Sequence, residues 1–171
     1  IAAAAGAAEA GVAGAGVESR QTLPRVVEFP SVDPRRAGRY ARYAYMAGVR
    51  HPRDNGPLQA LIKLDLATGE EWVYDSGPRV FTSEPQFIPR PGGEAEDDGW
   101  VVGTVYNAGA GTSEVVVLDA RDFGGGAEPV AVLRLKAHVP YGLHGAWSEV
   151  YYGGGAFSER PDAAISRAVL N

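Results

Sequence analysis

Residues 59–75 read Q-A-L-I-K-L-D-L-A-T-G-E-E-W-V-Y-D. The first eight residues, 59–66, form a β-type run, A-T-G at 67–69 makes a turn, and E-E-W-V-Y-D returns as the hairpin partner. Further on, W-V-V-G-T-V-Y at 100–106, the turn N-A-G-A-G-T and E-V-V-V-L-D-A at 114–120 read as two more strands. The L-D-L-A-T-G-E that closes one strand also matches the L-D-A-R-D-F-G that closes another. A strand, a turn and a repeat are therefore legible in one short stretch.

The pattern extends outward on both sides. L-P-R-V-V-E-F at 23–29 reads as a strand ended by Pro30. Residues 31–39 are a turn-rich connection, and Y-A-R-Y-A-Y-M-A at 40–47 is the next strand. Residues 48–57 read as a loop carrying a solvated His51. After the hairpin, D-S-G-P at 75–78 is a loop and S-E-P-Q-F-I-P at 83–89 an extended segment. R-P-G-G-E-A-E-D-D-G at 90–99 reads as a solvated polar loop, its acidic residues offering only a weak cation site. P-V-A-V-L-R-L at 129–135 completes a second set of four strands. Most of the 23 glycines and 12 prolines fall outside these runs, as in an all-β protein rich in turns.

Two units of four strands in one order indicate blades of a β-propeller, with a period longer than common repeats of that kind. V-P-Y-G-L-H-G-A-W at 139–147 then falls where the first strand of a third, closing unit belongs. Its His144 lies between Tyr141 and Trp147, and Gly142 and Gly145 leave room for a close approach of backbone or ligand. A lone histidine beside aromatics is more often a packed core residue. Here, however, Glu28, Glu84 and His144 occupy matching places in successive units, 56 and 60 residues apart. First strands of blades commonly line the propeller axis, so two carboxylates and an imidazole would converge there. Such groups suit an iron or zinc site, with a carboxylate as ligand or as partner of a ligating histidine. The plainer reading is that the glutamates only cap backbone amides.

Composition narrows the classes. The 171 residues suffice for one domain burying about 70% of its unfolded surface. Lys and Arg number 16 against 21 Asp and Glu, a net charge of −5 without a basic stripe, so nucleic acid is not an expected partner. There is no cysteine, which excludes disulfides and thiolate metal sites and leaves the compartment unread. No apolar run reaches the length of a membrane span. Residues 1–16 are low-complexity Ala/Gly, read as a loop or linker with a short helix over 2–10 as the alternative. Residues 148–171 form a divergent tail, with a short helix expected over D-A-A-I-S-R-A-V-L. The start at Ile1 and the incomplete set of units point to the C-terminal part of a larger protein.

E-F-P at 28–30, S-E-P-Q-F-I-P-R-P at 83–91, E-D-D-G-W at 96–100, V-V-V-L-D-A-R-D-F at 115–123 and V-P-Y-G-L-H-G at 139–145 resemble, in this order, the carotenoid cleavage oxygenases. That family includes lignostilbene dioxygenases and the retinoid isomerohydrolase. The resemblance covers about residues 17–147. It implies about two blades, and the first strand of a third, of a seven-bladed propeller with a non-haem Fe(II) held by four histidines, three of them bonded to glutamates. Enzymes of this kind split a conjugated double bond of a hydrophobic polyene with O₂. By the same resemblance His144 is an iron ligand, and Glu28 and Glu84 are carboxylates behind ligand histidines, Glu84 serving a histidine outside this chain. His51 and His138 match no ligand motif. The remaining ligands, and any peripheral membrane association, would belong to parts not in this chain. Isomerohydrolase chemistry at the same iron, or a non-catalytic propeller that binds protein, are the alternatives.

Overall fold

Alternation along each strand decides which side meets the core. In Gly99–Asn107 the odd residues Val101, Gly103 and Val105 are buried, while Trp100, Val102, Thr104 and Tyr106 are only half-covered. Ala60–Asp65, by contrast, is buried at all six positions, as a strand covered on both faces must be. A computed structural model describes residues 23–124, 126–140 and 142–150. The Ala/Gly segment, Tyr141 and the helix expected in the tail lie outside the described residues.

The strands are β1 (Val27–Ser31), β2 (Tyr43–Gly48), β3 (Ala60–Asp65), β4 (Glu71–Asp75), β5 (Val80–Pro89), β6 (Gly99–Asn107), β7 (Thr112–Asp119) and β8 (Ala131–Arg134). They form two antiparallel sheets of four, ordered β1-β2-β3-β4 and β5-β6-β7-β8. The all-β fold of two four-stranded units is thus as the repeat predicts. Among the described residues no helix is long and apolar enough to cross a membrane.

The repeated L-D pair has a shared physical role. Asp65 closes β3 by accepting the N–H of Ala67 at 2.8 Å, and Asp119 closes β7 by accepting that of Arg121 at 2.9 Å. Their other oxygens bind Arg42 at 2.7 Å and Arg90 at 2.9 Å. Asp65 is held down to about 2, first by the Arg42 hydrogen bond and then by the amides of Ala67 and Thr68, against the opposing effect of burial. The β3–β4 turn then needs the left-handed Gly69, at φ 77°, to reverse the chain.

The sheets pack through one core. Tyr45 and Leu61 of the first meet Phe87, Val101, Val105, Val116 and Leu118 of the second. Tyr45 stacks on Phe87 with ring centroids 5.1 Å apart, 10° from parallel. Burial pushes the Tyr45 phenol upward, and its hydroxyl has no hydrogen-bond partner among the described residues. Leu23, Ala44, Met46, Ile62 and Leu64 form a second cluster that draws on the alternate side chains of β2 and β3.

Three expectations are corrected. Pro30 does not end the first strand. Pairing with β2 slips between Glu28 and Ser31, and a bulge in an edge strand needs no ladder N–H from proline. The loop at 90–99 is not a solvated turn. Glu96 Oε1 accepts the backbone N–H groups of Arg42 and Tyr43 at 2.6 and 2.8 Å, and Asp97 takes Lys63 Nζ at 2.8 Å. Arg35 donates to the carbonyls of Gly93 and Ala95, and Arg36 pairs with Glu96 at 3.5 Å. Lys63, only 4% exposed, also donates to Ala120 O at 2.7 Å and lies over the Tyr43 ring. Glu96 and Asp97 therefore bind cations that come from the first half of the chain, while Asp98 pairs with Arg90 and Arg121 nearby. Finally, the described residues of 139–147 form no strand, since none of the eight strands pairs with them.

Candidate functional site

The first strand of each sheet carries a bulge, with Glu28 bordering the first and Glu84 inside the second. Glu28 is paired with Ala47 at the last position before the slip in β1. Glu84 lies inside the slip in β5, between Thr82 and Pro85. An extra residue bends a strand and re-aims its side chains, which is why bulges so often adjoin functional groups. Ser83 helps to hold the second bulge by donating to Thr104 O at 2.9 Å.

Glu84 is turned toward the segment after β8. Its Oε2 accepts the N–H of Gly145 at 2.6 Å, a short charge-assisted bond. Its Oε1 lies 3.4 Å from His144 Nδ1. The Glu84 side chain is 15% exposed and the His144 side chain 74%, so a largely buried carboxylate holds an open imidazole. With the proton on Nδ1 the ring donates to Glu84, and the lone pair of Nε2 is free to bind an electrophile. Glu84 therefore serves a histidine of this same chain, where the family resemblance implies one outside it. The bulge points the carboxylate at residues 144 and 145 as they pass β5.

The other side of the imidazole meets β1. Phe29 contacts His144 edge to face, with ring centroids 5.7 Å apart and an interplanar angle of 86°. Glu28 is exposed, and its carboxylate makes no hydrogen bond to a described residue. The start of the segment is anchored separately, by Val139 N–H donating to Ser113 Oγ at 2.9 Å. His138 packs on Tyr106 at 4.8 Å, and His51 is exposed on its loop as predicted. Chain neighbours aside, no described residue comes within 4 Å of a Cβ built on Gly142 or Gly145, so close approach of protein backbone does not require glycine at either position.

Glu84 and His144 share a pocket of about 400 Å³ between the segment and the exposed face of β5–β7. Its walls are largely apolar, with Ile88, Val102, Val115, Leu143 and Trp147 among them. Among the described residues no three of His, Cys, Asp and Glu gather closely enough to hold a metal ion. The residues present thus fit one ligand with its carboxylate partner and not a complete set of donors. Phe29, Ser113 and the Gly145 amide are contributors that the sequence does not reveal. Phe29 stands within E-F-P, but an aromatic contact between β1 and an irregular segment 115 residues further on has no sequence period.

Sheets of this order and a histidine backed by a bulge-borne glutamate define a propeller-type protein with part of a polar site at its first strands. The profile of the retinal pigment epithelial membrane protein family matches residues 7–149, and the chain belongs to that family. It is 47% identical over 137 residues to the apocarotenoid-15,15'-oxygenase of Synechocystis, covering 80% of this chain and 28% of that protein. It is 38% identical over 130 residues to carotenoid 9,10(9',10')-cleavage dioxygenase 1 of Phaseolus vulgaris, covering 69% and 24%. The crystal structure of the cobalt-substituted Synechocystis apocarotenoid oxygenase superposes with a TM-score of 0.71 at 47% identity, covering 74% of this chain and 26% of that one. The chain thus spans about a quarter of the length of these relatives.

Proposed function

We propose that this chain is the C-terminal part of a non-haem Fe(II) dioxygenase that cleaves a conjugated double bond of a carotenoid, an apocarotenoid or a related polyene. The observation that carries the reading is the Glu84–His144 pair: a carboxylate on Nδ1 leaves Nε2 as a directed, more basic donor. The cleavage activities in the names of the matched relatives support the substrate class. Cobalt substitution in the Synechocystis relative supports a metal site in this family. When bound, iron would supply the binding and polarisation of O₂. His144 would contribute one imidazole, and Glu84 would fix its tautomer and aim while also holding Gly145 N–H. Glu28 would back a ligand histidine from a part of the enzyme outside this chain. The apolar pocket wall beside His144 suits a hydrocarbon better than a polar substrate.

His144→Ala in the complete enzyme tests this, with iron per protein and cleavage rate measured together. Both should be lost. Lost activity with full iron would make His144 a base and not a ligand.

A further inference from the structure

His144 is gripped from two sheets, and only one grip is a hydrogen bond. Glu84, in the bulge of β5, meets Nδ1 and so selects tautomer and rotation. Phe29, in the bulge of β1, meets the ring plane at 86°. Phe29 also has φ 59°, in the left-handed region where glycine is at ease and a bulky side chain is not. Backbone held in such a conformation is found where the surroundings require it, notably around functional groups. Here the left-handed turn and the slip in pairing coincide, and the ring they carry lies against the imidazole.

We infer that Phe29 is a positioning residue for His144, an aromatic wall that limits the tilt of the imidazole while Glu84 limits its rotation. The inference rests on the reading of His144 as a metal ligand. An edge-to-face contact has direction, because the positive edge of one ring seeks the negative face of the other. An aliphatic side chain of similar bulk supplies the packing without that direction. Phe29→Leu should therefore free the imidazole, whereas Phe29→Tyr keeps the ring and should hold it.

Cobalt(II) titration of the complete enzyme, followed by the visible absorption of the bound ion, measures this without recourse to turnover. Phe29→Leu should bind cobalt roughly fivefold more weakly than the parent, the scale of one aromatic pair, and Phe29→Tyr should restore the parent affinity. Phe29→Gly, which suits the backbone conformation and removes the ring, should match the leucine variant, and it keeps the test open should leucine disturb folding. Parent affinity in the leucine and glycine variants, or a tyrosine variant as weak as leucine, would overturn the inference. His144→Ala is titrated alongside. If it keeps full cobalt binding, the ligand reading itself fails. If it loses cobalt while Phe29→Leu does not, Phe29 alone has been misassigned.

Discussion

The loop at 90–98 and the described residues of the segment at 139–147 are both irregular, and the molecule treats them in opposite ways. The loop is clamped by Arg35, Arg36, the amides of Arg42 and Tyr43, and Lys63. The segment hangs from Ser113 at one end and Glu84 near the other, with Leu143 and Trp147 69% and 55% exposed. Many charged contacts to a neighbouring sheet make a joint. A few contacts, one anchoring the start of the segment and the others gathered at His144 and Gly145, make a holder for a reactive group. Binding groups are commonly carried on such irregular stretches, positioned by a rigid scaffold.

Breaking the joint should cost the most. Lys63→Ala strands Asp97 and the Ala120 carbonyl, so unfolding by denaturant should report a loss of about 3 kcal/mol. A loss below about 1 kcal/mol would show that the loop is only lightly held. Breaking the holder should spare the fold and damage the site. Glu84→Gln should lower metal affinity of the complete enzyme by about 10–100-fold while its thermal midpoint in the metal-free state barely moves. Unfolding at lower temperature with unchanged affinity would reverse those roles. Acid probes the first sheet itself, at the end of β3. The Asp65 carboxyl titrates lower in the folded chain than in the unfolded one, so its contribution is complete above about pH 4 and is lost as pH falls toward about 2. Asp65→Asn should flatten that part of the acid denaturation profile, and an unchanged profile would exclude it as a contributor. The smallest effect is expected from Gly145→Ala, whose Cβ meets nothing and whose N–H remains. Its stability should stay within about 0.5 kcal/mol, and a larger drop would reveal packing around the segment.

The strands are legible in the sequence because their alternation is local. W-V-V-G-T-V-Y declares its buried side within a few residues, and A-L-I-K-L-D, buried throughout, reads as a strand from its short apolar run and the turn that follows. Turn chemistry is legible for the same reason, as Asp65 acts on amides two and three positions on. The bulges are not, because a slip in pairing belongs to two strands, and Pro30 on its own reads as a terminator. The acidic loop reads as solvated because Glu96 and Asp97 find their partners 54 and 34 residues earlier, across a sheet boundary. Y-G-L-H-G-A-W resembles the inner strands of the repeat, yet pairing needs a neighbour as well as a pattern. Of the candidate site, His144 and Glu84 stand out as residues, but their direct contact emerges only from the way β5 bends.

Every cation of the clamp precedes its partner in the chain, by 34 residues for Lys63 and Asp97 and by 60 for Arg35 and Ala95. On a ribosome adding about 5–20 residues per second, that interval lasts roughly two to twelve seconds. The first sheet, a meander of consecutive hairpins, can form from local contacts in that time, but its cradle stays empty. Lys63 must remain hydrated until the acidic loop emerges, so the second sheet arrives as the cover that completes the first. Birth order is thereby written into the joint, with the positive half waiting and the negative half docking.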